Sequence, residues 1–454
     1  MQKLTILILL LISKVGYCHN ISNESENNSN TIMAAKVFNI TTKKTALTIN
    51  ENYFMTPASL EKLITSYATI KNLSNEYRFA TTLSYDGRIE KNMINGNILL
   101  KFNGDPTLLS SDLTNLIGAL KQHNITKITG DLIIDDTTFD NEFYAPGWMW
   151  DEVDDCYATI TNSAIIDRNC VTATIKSNTN SINISLSEKL IPTIKTDIKI
   201  NNEQCALKFH PNFKYNYYLT GCMRPNTTEK LDIATRNPYP RLENKIKKIL
   251  KQQNIRLSGN IIFVSLPNKK LQQITTHYSK PIKEIIKIML KKSDNLIAES
   301  LFKTIGKIKR GSPGTWQQGQ AIATNDMQEI ATMPIYKGQF VDGSGLSRYN
   351  YISAQQLTIL LAEIASKRYY STTIEKALPI AGIDGTLEWL TDNVLSNNLH
   401  AKTGSMSGIL NIAGYFSYNN NDYTIVVMLQ NPNLKKKQLQ ELMSSVLTEI
   451  VASI

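Results

Sequence analysis

The chain is expected to fold as a mixed α/β (α+β) protein, an antiparallel sheet flanked by helices and interrupted by a long β-rich insertion. Three observations carry that expectation. The C-terminal end reads as a hairpin, Gly408 to Ser417 and Tyr423 to Gln430 around a polar turn at 418–422. A helix over about Leu434 to Ala452 follows, with Leu439, Met443, Val446 and Ile450 on one face. A helix start arrives near the other end, at Thr56-Pro57-Ala58-Ser59, where Thr56 suits the N-cap and Pro57 the first helical position. Leu60, Leu63, Ile64 and Tyr67 would then form its buried side. The long middle is dominated by period-two alternation.

In chain order, strands are expected at Phe79 to Tyr85 and Asn97 to Phe102, with an Asp86-Gly87 turn after the first. A helix follows from about Ser111 to His123, then strand, turn and strand from Ile125 to Phe139 around Gly130. Val171 to Ile175, Ile182 to Leu186 and Ile261 to Val264 are further strands. Helical periodicity returns at Pro281 to Leu290 and at Ser293 to Lys307. A length of 454 residues is too great for one ordinary core and indicates two or three domains.

Residues Leu4 to Ile12 form an apolar run of nine behind Lys3, with Gly16 and Cys18 small at the −3 and −1 positions before His19. This is the layout of a signal peptide, residues 1–18, and the run is far short of the about 20 residues needed to span a bilayer. Residues 19–31 are mostly Asn, Ser, Glu and Thr and read as a disordered lead. Four cysteines remain, Cys156, Cys170, Cys205 and Cys222, in two local pairs; 156–170 and 205–222 are the natural disulfides, although four cysteines allow three connectivities. There is no C-x-x-C and no paired-histidine cluster, so no metal site is expected. The net charge of +10 is spread along the chain and does not suggest nucleic acid. It reads first as ordinary solvated lysines and second, for an exported protein, as attraction to an anionic wall polymer or membrane surface, with at most peripheral membrane contact.

Three strings carry the chemistry: Ser59-Leu60-Glu61-Lys62, Ser293-Asp294-Asn295 and Lys402-Thr403-Gly404. The first puts a hydroxyl nucleophile one helical turn from an amine. Serine needs such a base, and lysine serves only when neutral, which burial or a second cation such as Lys402 would favour. The second string offers a hydroxyl and an amide, the third a cation beside a hydroxyl. None of the five histidines is placed as a triad base, and His400 reads as a strand side chain. This motif set belongs to class A β-lactamases and penicillin-binding proteins. Ser59 and Ser293 are 234 residues apart and Ser293 and Lys402 are 109. The second interval fits an uninterrupted core; the first is far too long, which places the strand-rich, cysteine-bearing middle outside that core.

The chain resembles the class C low-molecular-mass penicillin-binding proteins, the D-alanyl-D-alanine carboxypeptidase/endopeptidase family S13. Besides the three motifs, the resemblance rests on Gly130-Asp131-Leu132-Ile133-Ile134-Asp135, Ala145-Pro146-Gly147-Trp148, Ile166-Asp167-Arg168-Asn169-Cys170, Asp342-Gly343-Ser344-Gly345-Leu346-Ser347-Arg348, and Ala298 and Glu299 after the second motif. Ser405 stands where threonine is usual, and Asp294 where many members have asparagine. The resemblance implies a transpeptidase-like catalytic domain from residues 32–78 and 265–454, with 79–264 inserted as two subdomains, about 96–170 nested within the other. It implies a periplasmic serine peptidase without cofactor, acting on peptidoglycan stem peptides and inhibited by β-lactams. Ser59 would be the nucleophile, with Lys62, Ser293, Asn295 and Lys402 completing the catalytic set. Ser59 and Ser405 would supply the oxyanion hole; Thr403, Gly404 and Ser405 would bind the terminal carboxylate. Glu152 or Asp151 would meet the amine of the stem peptide's diamino acid and Arg348 its carboxylate, while Tyr157 would flank the cleft.

Two alternatives stand beside this. A class A-like β-lactamase would need a deacylating glutamate, and Glu329 is 36 residues past Ser293 without the surrounding Glu-x-x-Leu-Asn pattern. A non-catalytic peptidoglycan-binding protein on the same fold would have no reason to keep all five catalytic residues. Carboxypeptidase and endopeptidase action are equally compatible with the motifs, and nothing in the sequence specifies an oligomeric state.

Overall fold

The computed structural model describes residues 30–188, 193–202, 206–210, 217–265, 271–330 and 339–454. The expected signal peptide, nearly all of the expected lead and Cys205 of the second expected disulfide lie outside the described residues. A five-stranded antiparallel sheet organises the two ends of the chain. Its order is Leu399–Met406, Ile409–Tyr418, Asn421–Gln430, Ile32–Asn39 and Lys44–Ile49. The expected hairpin forms its middle, and the unanticipated strand Ile32–Asn39 pairs along its whole length with Asn421–Gln430.

Alternation along these strands sends side chains into two different cores. On one face Ala34, Ala413, Tyr415, Val426 and Met428 pack with helices Glu61–Asn72, Ile282–Lys292, Asn295–Arg310, Trp316–Ile330 and Ala354–Ser366. On the other face Ala35, Val37, Ile412, Ile425 and Val427 meet Leu439, Met443, Val446 and Ile450 of the terminal helix Lys436–Ala452. The terminal helix therefore packs on the sheet through the stripe expected of it. Each fully buried aliphatic side chain contributes about 1.5–3 kcal/mol. No described helix is long and apolar enough to cross a membrane.

Among the described residues the inserted chain builds four further sheets. A five-stranded one has the order Ile261–Phe263, Leu132–Asp135, Ile98–Lys101, Ala80–Tyr85, Gln272–Tyr278, beside a four-stranded one from residues 88–95, 127–128 and 256–257. Helices Ser110–Gln122 and Pro238–Gln252 share their core. Two three-stranded sheets from residues 170–186 with 228–234, and from 194–200, 208–210 and 217–223, enclose a separate core. Two expectations change. The nesting is reversed: residues 170–234 are inserted within the unit built from 80–135 and 256–278, because Ile261–Phe263 pairs with Leu132–Asp135 across them. Residues 272–278 also belong to this unit, past the expected edge at 264, because they pair antiparallel with Ala80–Tyr85. Cys156 and Cys170 are disulfide-bonded with Cα atoms 5.9 Å apart, closing a short loop worth about 3 kcal/mol.

Candidate active site

The nucleophile segment does not start as its Thr-Pro signal suggested. Ala58–Leu60 is a single 3-10 turn, and the α-helix begins at Glu61. Ala58 is left-handed at φ 48. Buried Asn411 explains the delay, since its amide nitrogen donates to the carbonyls of both Thr56 and Pro57 at 3.0 Å. Two glycines let other segments close on this turn. A Cβ at Gly345 would lie 1.8 Å from the Ala58 carbonyl oxygen, and one at Gly404 would lie 2.4 Å from that of Pro57. The glycine of the third motif is thus what brings its strand against the nucleophile.

Lys62 is fully buried and its Nζ has three oxygen partners: Ser59 Oγ at 2.9 Å, Asn295 Oδ1 at 2.7 Å and the Ser344 carbonyl at 2.8 Å. The Asn295 amide is held in that sense because its nitrogen donates to the Tyr157 carbonyl at 2.8 Å. Asn295 Oδ1 and the Ser344 carbonyl can only accept. When Lys62 is neutral its two N–H groups remain committed to them, and its lone pair is left for the Ser59 hydroxyl. Burial lowers the Lys62 pKa to about 8, against the opposing pull of Glu299, Asp342, Asp294 and Glu61.

Ser293 caps the helix before it in the left-handed conformation, φ 56 and ψ 40, a position sparsely populated by residues other than glycine. Its hydroxyl accepts from Lys402 Nζ at 2.9 Å, which also donates to the Thr403 carbonyl at 2.7 Å. Lys402 is fully buried and its pKa is pushed well down, by burial first and by the Lys62 charge second. The sequence left burial or the Lys402 charge as the cause of a neutral Lys62; in the structure burial is the chief cause at Lys62, and the like-charge effect falls on Lys402. The Thr403 hydroxyl meets that of Thr386 at 2.6 Å.

Behind these groups, fully buried Glu299 takes the backbone N–H of Ser344 at 2.8 Å and of Gly343 at 3.0 Å, and the Trp316 indole at 2.7 Å. It thereby holds the carbonyl that Lys62 uses. Burial, and then the charge of Asp342, raise its pKa to about 7. Asp342 accepts from Gly345 N, Ser347 N, the Asn350 amide and the Trp148 indole, all within 2.7–2.8 Å.

Ser59, Ser293 and Ser405 line the junction of two lobes of one cleft. The lobe of about 450 Å³ includes Glu152, Tyr157, Asn295, Leu346 and Met406; the lobe of about 590 Å³ includes Thr386, Glu388, Trp389, Leu410 and Gln440. Of the stem-peptide residues expected from sequence, Glu152 and Tyr157 line the cleft, whereas Asp151 and Arg348 are not among its lining residues. Burial raises the Glu152 pKa, opposed by Arg348 close by. Glu329 is on the surface, paired with Lys71 at 2.6 Å. Asn411, Thr386 and Trp389 had no sequence signal, because single polar or aromatic residues far from a motif look like any others. No cluster of metal-ligating side chains is found among the described residues.

The family model for the D-Ala-D-Ala carboxypeptidase 3 (S13) family matches residues 19–450. The chain is 31% identical over 379 residues to the D-alanyl-D-alanine carboxypeptidase DacB of Haemophilus influenzae, covering 81% of this chain and 78% of that protein. It is 24% identical to a D-alanyl-D-alanine carboxypeptidase of Actinomadura, covering 79% and 70%. The crystal structure of penicillin binding protein 4 from Haemophilus influenzae superposes with a TM-score of 0.85 at 26% identity, over 95% of this chain and 98% of the other. The chain belongs to the D-Ala-D-Ala carboxypeptidase 3 (S13) family and is a serine-type D-Ala-D-Ala peptidase.

Proposed function

We propose that this family member hydrolyses the D-Ala-D-Ala bond and crosslinks of peptidoglycan stem peptides in the periplasm through an acyl group on Ser59. The observation that carries the site assignment is the Lys62 amine, whose two acceptor-only partners leave its lone pair for the Ser59 hydroxyl. Ser59 Oγ attacks the carbonyl between the two D-residues as its proton passes to Lys62. Ser293, backed by Lys402, then relays a proton to the leaving amine, and water hydrolyses the acyl-enzyme.

The backbone N–H groups of Ser59 and Ser405 are the oxyanion donors in this reading. The strand Leu399–Met406 is at the edge of its sheet, and Ala401 N turns outward to donate to Pro379. Alternation puts Ser405 N on the same outward row, beside Ser59. Thr403, with Thr386 behind it, suits the terminal carboxylate. Glu152 and Tyr157 suit the amine of a diamino acid on the acyl side, and Arg348 acts next to Glu152 rather than in the cleft. The second lobe has the volume of a site for a sizeable ligand, which supports leaving groups larger than one D-alanine.

Intact mass of the mature protein, followed for hours with excess benzylpenicillin, tests this. The expected result is a lasting one-equivalent adduct on Ser59, absent from Ser59→Ala. Glu329, the deacylating candidate from the sequence, is tied to Lys71 on the surface and is not among the lining residues of the cleft, which favours a lasting adduct. Rapid loss of both adduct and drug would establish a β-lactamase instead, and no adduct would leave a wall-binding protein.

A further inference from the structure

We propose that Arg168 is a positioning residue for this reaction: seated on Asp294, it ties the inserted chain to the second motif and balances the charge beside the Lys62 amine. The inference rests on the proposed roles of Ser59 and Lys62.

The ion pair is short, Arg168 Nη2 to Asp294 Oδ2 at 2.9 Å, and Asp294 is almost wholly buried between Ser293 and Asn295. Its other oxygen caps the following helix by accepting from Ile297 N at 3.1 Å. Aiming Arg168 there requires an unusual backbone. Asp167, Arg168 and Asn169 are consecutively left-handed, with φ of 47, 59 and 54, and none is glycine. Such a run persists only where its surroundings over-determine it. Here Asp167 accepts from Ser110 N at 2.8 Å and pairs with Lys245 at 3.0 Å. Asn169 accepts from Ile166 N at 3.3 Å and donates to Asn162 Oδ1 at 2.9 Å. The disulfide follows at once, and its other cysteine precedes Tyr157, whose carbonyl orients Asn295. Both ends of one crosslink thus grip the second motif, one through a side-chain charge and one through a carbonyl.

The charge is what a merely structural contact would not supply. The Lys62 amine is faced by Glu61 on its own helix, Glu299 on the helix of the second motif, Asp342 in the glycine loop, Asp294, and Lys402 on the edge strand. Asp294 pairs with a cation from outside this group. Without Arg168 its charge acts unopposed and favours protonated Lys62, the form that cannot accept the Ser59 proton.

The test is the pH dependence of acylation by benzylpenicillin for the wild type, Arg168→Gln, Arg168→Lys, Asp294→Asn and the double variant Arg168→Gln/Asp294→Asn. Because Arg168 is half exposed, the expected displacement of the midpoint in Arg168→Gln is modest, about 0.5 pH units upward. That is about a threefold lower acylation rate at neutral pH, with binding of the drug before acylation unchanged. Arg168→Lys should recover most of the displacement. The double variant should match Asp294→Asn, because no charge is then left to balance. An unmoved midpoint in Arg168→Gln, or an equal displacement when Arg168→Gln is added to Asp294→Asn, overturns the proposal. A wild type that forms no adduct overturns the functional reading beneath it instead.

Discussion

Lys62 hydrogen-bonds to Ser59 and Lys402 to Ser293, both amines fully buried, yet their surroundings differ in kind. Lys62 has three oxygen partners and four carboxylates in its field; Lys402 has two oxygen partners, and the charge that chiefly acts on it is another lysine. Burial alone drives both amines toward neutrality. The carboxylates oppose burial and hold Lys62 at about 8, near enough to neutrality to exchange a proton with Ser59. At Lys402 burial and the Lys62 charge both push the pKa well below the ordinary lysine value. Counter-charge, more than burial, separates a base that must cycle from an amine that need only pass a proton along.

The largest effect that would break this comparison is removal of each amine in turn. Lys62→Met should reduce acylation by about 10³-fold, because the base is lost and the acceptor oxygens of Asn295 and Ser344 are left unpaired. Lys402→Met should cost less, about 10²-fold, since it acts through Ser293. Stopped-flow acylation rates for both variants decide it, and equal losses would mean that the two amines act as a single unit.

A subtler change would sharpen the comparison. In the proposed reaction the neutral form of Lys62 is the active one, so the wild-type acylation rate should rise with pH through a midpoint of about 8. Glu299→Gln removes a carboxylate that favours the protonated amine, and the midpoint should move to lower pH. This direction is opposite to the one expected for loss of Arg168. Lys402, whose pKa Glu299 does not chiefly set, provides no alternative source for that movement. A pH–rate profile that stays in place in Glu299→Gln would show that the buried carboxylates are not what holds Lys62.

How much of this was legible in the sequence follows from distance along the chain. The three motifs could be read because each packs its chemistry into three or four neighbouring residues, and their order and spacing implied an insertion. The terminal hairpin and helix were legible for the same reason. The strand Ile32–Asn39 was not, because its partner lies almost 400 residues away and its own pattern is short. The nesting of the insertion was inverted because nothing local announces that residues 261–263 return to pair with 132–134, and its edge was misplaced because nothing announces that 272–278 pair with 80–85. At the site, the helix start was misplaced because a tertiary contact from Asn411 outweighs the Thr-Pro signal. Arg168 and Tyr157 reach the second motif through a backbone shape that no propensity reveals.

One carboxylate in the Lys62 field is there without any hydrogen bond. Glu61 is fully buried, and neither of its side-chain oxygens has a partner among the described residues. Burial, then Asp342 and Glu299, raise its pKa well above the usual range, which favours the protonated form in the folded state. In the unfolded chain it ionises at about pH 4.3, the ordinary value for glutamate. Below that pH both states carry the proton and the group adds no pH dependence. As pH rises the unfolded state gains an ionisation that the folded state cannot share, and stability is lost. Glu61→Leu, of similar size, should therefore stabilise the protein by about 1–3 kcal/mol at pH 7. The gain should shrink at pH 4, where only the desolvated neutral carboxyl is relieved. Urea denaturation of both proteins at the two pH values measures it. An equal gain at both would mean that burial does not raise the Glu61 pKa in the folded state.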